Sequence, residues 1–318
     1  MDEEPAAGAH VDAGAQAAST LPRLFLRAMR THHRPAVLLS RDGARWREMP
    51  DWRFERQVIR LGLFLRDRAA LAPGDRVAVV SSLRPELAVA EFAAAVQGAT
   101  SVAIDPGLPA DQLVLALTAA APAAIVLERA SVREQIGSTQ RAVLAMDGRP
   151  HDGWMWSEVL DLGGTLDTPE RAQQFRARAR EILADAPALG HVIARDGAVQ
   201  CQFISQADAV ARVNAVWADA APAQGDVTYV SGPVTLGARV ACLAAVTDGV
   251  TRCAFGTPGS ETAEAIELRP RRIVASADVA DRARRAVAAT APPPAQSTAA
   301  RRVLEWLRAR TERVDRKQ

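Results

Sequence analysis

Short apolar strands alternate with helices through the middle of this 318-residue chain. The segments 76–80, 100–104 and 123–127 are apolar and β-rich, and helix-forming segments 85–97 and 110–121 separate them. Strands that are apolar on both faces are typical of parallel sheets covered by helices on both sides. The pattern therefore predicts an α/β fold with mostly parallel sheets.

A hairpin and an amphipathic helix precede this alternation. The strand-like segments 36–40 and 45–49 flank a turn that contains Asp42 and Gly43, a dipeptide typical of β-hairpins. The segment 51–68 carries apolar residues at helical spacing, and Asp51 is suited to cap the start of that helix.

The alternation resumes after residue 188, and the chain divides into five predicted parts. Strands are predicted at 199–204, 227–231, 250–255 and 272–275, with helices at 206–220, 236–246, 261–268 and 279–289. A charged helix is predicted at 168–185. The parts are a disordered tail (1–20), a first α/β subdomain (21–187), a second (188–290), a proline-rich linker (291–298) and a basic amphipathic helix (299–318).

Composition excludes several classes of protein. A net charge of +2 gives no electrostatic bias toward nucleic acid. The three cysteines lack metal-ligand spacing, which favours reduced thiols, and no secretory signal or membrane-spanning run is visible, so we expect a cytoplasmic protein. No nucleophile elbow, dinucleotide-binding or zinc-protease motif is found, and we expect no catalytic residue and no metal site.

Several segments together resemble a known family. They read L-A-P-G-D-R-V-A-V-V at 71–80, R-P-E at 84–86, S-V-A-I-D-P at 101–106 and W-S-E-V-L at 156–160. In order and spacing they resemble the adenylate-forming (AMP-binding) superfamily, in particular the long-chain fatty acyl-CoA synthetases, from about residue 20 to about 310. The resemblance implies part of the large N-terminal domain of that fold, with two α/β layers. It also implies a fatty acid-CoA ligase that uses ATP, Mg²⁺ and CoA.

The phosphate loop of that family is degenerate in this chain. The family pattern is roughly Y-T-S-G-T-T-G-x-P-K-G, and residues 191–201 fall on it without a gap. One glycine matches, apolar or charged residues replace hydroxyls, and a neutral amide replaces the lysine, so the cation and donors that grip phosphate are lost. The positions concerned are Ile193, Arg195, Asp196, Gly197 and Gln200. An acidic side chain at Asp196 would repel a phosphate.

Further family elements are missing as well. Leu236 falls on the histidine of a P-L-x-H element, and the family's metal-linked Glu, ribose-binding Asp and adenylation Lys have no counterpart before the chain ends. We therefore expect no bound cofactor and no ligase activity, and we interpret the chain as a binding or regulatory pseudoenzyme that holds an acyl or other hydrophobic ligand. The alternatives are one half of a split fatty acid-CoA ligase completed by another chain, or a decaying gene product.

Three questions about partners and single residues stay open at this stage. An incomplete sheet would leave apolar surface for self-association or for an active homologous synthetase. The basic C-terminal helix fits either peripheral contact with an anionic membrane or ordinary packing on its own domain, and we favour packing. His191 is either packed at the edge of the fold or a catalytic base, and we favour the packed histidine.

Overall fold

The structure is a computed structural model that describes residues 19–31, 33–137, 141–195 and 198–290. The predicted tail (except residues 19 and 20), the proline-rich linker and the C-terminal basic helix lie outside the described residues.

Helices and strands alternate along most of the described chain. The helices are α1 (Leu21–Thr31), α2 (Asp51–Asp67), α3 (Pro85–Val96), α4 (Ala110–Ala120), α5 (Val132–Gln135), α6 (Trp156–Leu166), α7 (Pro169–Glu181), α8 (Gln206–Ala215), α9 (Leu236–Thr247), α10 (Glu261–Leu268) and α11 (Ala277–Thr290). The strands are β1 (Leu38–Asp42), β2 (Arg45–Met49), β3 (Arg76–Val80), β4 (Thr100–Ile104), β5 (Ala124–Arg129), β6 (Ala142–Asp147), β7 (Trp154–Met155), β8 (Pro187–Arg195), β9 (Ala198–Ser205), β10 (Val227–Val230), β11 (Arg252–Phe255) and β12 (Arg272–Val274).

Seven strands form the larger sheet, in the order β7-β6-β5-β3-β4-β8-β9. All neighbours are parallel except β8 and β9, which pair antiparallel at one edge. Strand β4 is buried along its whole length, and β3 is buried after its first residue. Their burial explains why they read as mainly apolar runs, because helices cover both faces of the sheet.

Five strands form the smaller sheet, in the order β12-β10-β11-β1-β2. Strand β1 of the hairpin β1–β2 pairs in parallel with β11. Residues near the start of the chain thus complete a sheet whose other strands come from residues after 226. The predicted division into 21–187 and 188–290 does not follow the sheets. Strands β8 and β9 extend the larger sheet past residue 188, and β1 and β2 lie in the smaller one.

Arg34 joins the start of the chain to the smaller sheet. Its guanidinium group is buried and donates to the carbonyl oxygens of Ala245 (3.0 Å), Val246 (2.7 Å) and Thr251 (2.8 Å). Two of these carbonyls lie in the last turn of α9, whose C-terminal oxygens have no partner within the helix. Asp51 balances the charge, with 3.1 Å between the Arg34 Nη2 and a carboxylate oxygen.

The mostly parallel α/β architecture predicted from the sequence is confirmed, with corrections in detail. Asp51 does not cap α2, because Pro50 occupies the cap position and the Asp51 carboxylate is bonded to Arg34 instead. Strands β6, β7 and the first half of the β8–β9 pair were not predicted, nor was helix α6. These elements are short, or lack a clean period, and tertiary pairing decides their conformation.

Candidate functional site

A cavity of about 290 Å³ opens at the carboxyl end of β4, beside the second half of β8, at one edge of the larger sheet. Ligands of open parallel sheets bind outside the carboxyl ends of the strands, which is where this cavity lies. The first turns of α4 and α9 flank it, and apolar side chains make up most of its wall. The lining residues are Ala103, Asp105, Leu108, Gln112, His191, Val192, Val199, Val234, Thr235 and Leu236.

The hairpin β8–β9 forms one wall of the cavity. Pairing between the two strands continues to Arg195 opposite Ala198, whereas β4 accompanies β8 only as far as His191 opposite Ala103. The end of the hairpin therefore extends past its neighbour β4, with β9 as its one strand partner in the described sheet.

This hairpin occupies the segment that the sequence predicted to be a degenerate phosphate loop. Ile193 lies opposite Gln200 in the ladder, the former half-buried and the latter exposed. The side chain of Arg195, and all of Asp196 and Gly197, lie outside the described residues. The structure thus gives paired strands through 191–195 and 198–201, in place of an open loop. The Asp-Gly dipeptide between two apolar runs is the signal that could have predicted the hairpin.

His191 contributes an imidazole ring to the cavity. Burial, followed by the positive charges of Arg239 and Arg212, lowers the pKa of His191 below its usual value. Its Nδ1 atom is buried and has no hydrogen-bond partner among the described residues. The ring is therefore neutral near pH 7, so it can donate one hydrogen bond and accept another.

Some of the other polar groups of the cavity already make hydrogen bonds within the protein, and one does not. The Asp105 carboxylate accepts from the Gly107 backbone N–H at 2.8 Å, and the Thr235 hydroxyl caps α9 by accepting from the Ala238 N–H at 3.2 Å. For the Gln112 side chain the described structure contains no hydrogen bond. Gln112 and His191 are thus the two polar side chains of the lining best placed to orient a ligand, beside the Asp105 carboxylate and the Thr235 hydroxyl.

A buried ion pair, which the sequence analysis did not predict, holds together the elements that form this site. Arg239 of α9 is 1% exposed, and its Nε donates to the Glu91 carboxylate of α3. Its terminal nitrogens donate to the carbonyl oxygens of Gly190 at 2.6 Å and Ser101 at 3.2 Å. Arg239 thereby links α9 to strands β4 and β8. The available signal was an arginine within the apolar run of α9.

Metal sites and membrane spans are both absent from the part of the chain that the structure describes. No group of three or more His, Cys, Asp or Glu side chains in the described ranges could hold a metal ion. None of the helices that the structure describes combines the length and apolar character needed to cross a membrane.

The fold and its site define an α/β protein built like the N-terminal domain of acyl-CoA synthetases. Residues 25–180 match the sequence model of the AMP-binding enzyme family. Through this region the chain belongs to that family, as the sequence resemblance predicted. No curated protein matches the chain.

Solved structures of adenylate-forming enzymes share the fold at low sequence identity. Acetoacetyl-CoA synthetase from Streptomyces lividans is 18% identical with a TM-score of 0.67, over 84% of this chain and 44% of that protein. A fatty acyl CoA synthetase from Mycobacterium tuberculosis is 14% identical with a TM-score of 0.61, over 84% and 51%. A luciferase-like enzyme from the mealworm Zophobas morio is 13% identical with a TM-score of 0.61, over 78% and 56%. The chain thus spans about half the length of each of these proteins.

Proposed function

We propose that this chain binds a small acyl group or similar apolar ligand in the cavity between β4, β8 and α9, and that it does not by itself carry out ATP-dependent acyl adenylation. This role is that of a pseudoenzyme of the adenylate-forming family. The single observation that supports it best is the strand pairing of β8 and β9 through the segment that falls on the phosphate loop.

The physical reason lies in the direction of the backbone N–H groups. A phosphate cradle needs successive N–H groups that converge on one anion. In an extended strand, successive N–H groups point to opposite sides. Residues 191–195 and 198–201 are extended. The side chain of Arg195 lies outside the described residues, and the described side chains of these two stretches include no arginine or lysine. The paired strands therefore do not present convergent N–H groups to the triphosphate of ATP.

The lining of the cavity favours an apolar ligand with one polar end. Leu108, Val192, Val199, Val234 and Leu236 supply the apolar wall. The imidazole of His191 and the amide of Gln112 offer hydrogen bonds without adding positive charge. A cavity of about 290 Å³ is near the lower limit of ligand pockets, which favours a short acyl chain. The name of a structurally similar protein, a fatty acyl CoA synthetase, also refers to an acyl group.

The first experiment tests the absence of adenylation. The purified chain is incubated with ATP, Mg²⁺ and a panel of carboxylic acids, with and without CoA, and pyrophosphate release is measured. We expect release at the level of the protein-free control. Release that depends on the acid and is lost in Gln200→Ala would overturn the proposal. Release that requires a second protein chain would also overturn it, in favour of the split-ligase alternative.

The second experiment tests ligand binding in the cavity. A fluorescent fatty acid analogue is titrated into the chain and displaced with octanoate. Leu236→Trp places a larger side chain in the cavity wall and should weaken binding by about tenfold or more. Leu115→Trp is the matched control, because Leu115 is 47% exposed on α4 and does not line the cavity. Equal affinity in both variants, or no saturable binding by the wild type, would refute binding at this site.

A further inference from the structure

A second cleft, separate from the cavity beside β4 and β8, lies between helices α1 and α7. Its volume is about 400 Å³, and the carboxylate of Glu55 from α2 is part of its lining. The lining includes Met29, Arg30, Glu55, Gln173, Arg176 and Arg180.

The two helices that form the walls of the cleft, α1 and α7, both pack against the hydrophobic core. Helix α1 buries Leu24, Phe25 and Ala28, and α7 buries Phe175 and Ala179, in one continuous apolar cluster. The positions of the arginines on the two helices are therefore fixed relative to each other at the backbone, although their side chains reach solvent.

The two walls are also joined at their rim. The Arg23 side chain donates to the backbone oxygen of Arg180 and so connects α1 to the end of α7. Since this bond uses a backbone oxygen, the Arg180 guanidinium itself stays available to the cleft.

Positive charge in the cleft exceeds negative charge by two. Arg176 is paired with Glu55, with 2.9 Å and 3.2 Å from two guanidinium nitrogens to one carboxylate oxygen. Arg30 and Arg180 have no acidic partner among the described residues. Three arginines thus face one carboxylate in the lining.

The cleft of about 350 Å³ at the ends of β1 and β3 is better compensated. Its lining has three arginines, Arg41, Arg47 and Arg84, and two acidic residues, Asp42 and Glu86. Arg84 is paired with both Glu86 and Asp147, and Arg41 is paired with Glu264. The lining of the cleft between α1 and α7 therefore has the larger excess of positive charge.

We propose that this cleft binds the phosphate group of a small phosphomonoester. Such a group carries a charge of about −1.5 to −2 at neutral pH, which matches the excess charge of the lining, whereas one carboxylate neutralises only half of it. The guanidinium forks of Arg30 and Arg180 present paired donors that suit phosphate oxygens. The Gln173 amide adds a neutral donor, and the exposed Ala177 lies in the lining beside the organic part of such a ligand.

Phenyl phosphate is the probe, titrated by calorimetry at low ionic strength, with inorganic phosphate and benzoate in parallel. Because the arginines reach solvent, we expect a dissociation constant on the order of 1 mM. The affinity for benzoate should be lower than that for phenyl phosphate by about fivefold or more. Inorganic phosphate binding as tightly as phenyl phosphate would assign the site to free phosphate and overturn the phosphomonoester part of the proposal.

Three variants locate the site. Arg30→Gln and Arg180→Gln should each weaken phenyl phosphate binding by about fivefold. Arg27→Gln is the matched control, because Arg27 is exposed on α1 but does not line the cleft, and it should leave the affinity unchanged. An equal loss in all three variants would show diffuse surface charge and overturn the site, as would an absence of saturable binding. Melting curves of the variants check that each one folds.

Discussion

Replacement of Arg239 by methionine tests the buried ion pair beneath the proposed ligand cavity. Methionine fills much of the same volume but removes the donor from four acceptors. These are the Glu91 carboxylate, the carbonyl oxygens of Gly190 and Ser101, and the Ser101 hydroxyl oxygen. Glu91 is 3% exposed, so water cannot replace the lost hydrogen bond without rearrangement of the core.

The expected cost is large, because removal of one partner of a buried pair leaves an uncompensated charge. Such changes typically lower the free energy of unfolding by about 3–5 kcal/mol. Replacement of both partners by apolar residues is often neutral. The double variant Glu91→Leu, Arg239→Met should therefore be more stable than Arg239→Met alone, by about 2 kcal/mol or more.

The loss should also depend on pH. Burial raises the pKa of Glu91, and the charge and hydrogen bond of Arg239 oppose that rise. Without Arg239 the pKa of Glu91 rises further in the folded state, while the unfolded chain keeps its ordinary value near 4.5. Between these two values the folded state binds more protons, so stability falls as pH increases. Arg239→Met should be destabilised more at about pH 8 than at about pH 5.

Urea unfolding followed by circular dichroism at both pH values measures these differences. Glu91→Gln in the Arg239→Met background supplies the control, because it removes the titrating group and should abolish the extra loss at high pH. A cost below about 1 kcal/mol for Arg239→Met, or a loss that is larger at low pH, would refute the assignment of a charged, desolvated pair.

Two further predictions concern close packing and a buried hydroxyl. Gly163→Ala would place a methyl group 2.7 Å from the Arg60 carbonyl carbon where α6 meets α2, and should lower the free energy of unfolding in urea by about 1–3 kcal/mol. Gly237→Ala meets only the Thr235 hydroxyl oxygen, at 4.0 Å, and should not destabilise the protein; equal losses in the two variants would contradict the packing argument. Burial, then the hydrogen bond to Glu264, raises the pKa of the single tyrosine, Tyr229, far above 10, so stability should be lost as pH rises above about 10. Ultraviolet titration should show tyrosinate forming only as the protein unfolds, and reversible ionisation near pH 10 in the folded state would be the contrary result.

The sequence predicted the elements whose patterning is strong. Strands β3 and β4 are mainly apolar, and helix α10 was predicted with its observed ends, because local signals and tertiary packing agree there. The family resemblance came from the order of several moderate motifs, and the match over residues 25–180 bears it out.

The candidate site was predicted less well. The family pattern placed a loop at 191–201, where the structure has two strands that pair with each other within that segment, and the local Asp-Gly signal for a hairpin was not used. Arg239 and Glu91 lie far apart in the sequence, and no local pattern shows that they meet. Loss of adenylation, the absence of a cofactor, the partners and the cytoplasmic location stay predictions.

The parallel contact between β1 and β11 has a consequence for the order in which the protein assembles. Leu38 lies beside Cys253, about 200 residues later in the chain. At about 5–20 residues per second, a ribosome needs on the order of 10 to 40 seconds to make the intervening segment. A two-stranded hairpin is only marginally stable alone, so β1–β2 must wait while the strands of the larger sheet are made. The hairpin β1–β2 thus leaves the ribosome before the strand it pairs with, and it is among the last elements to reach its final position.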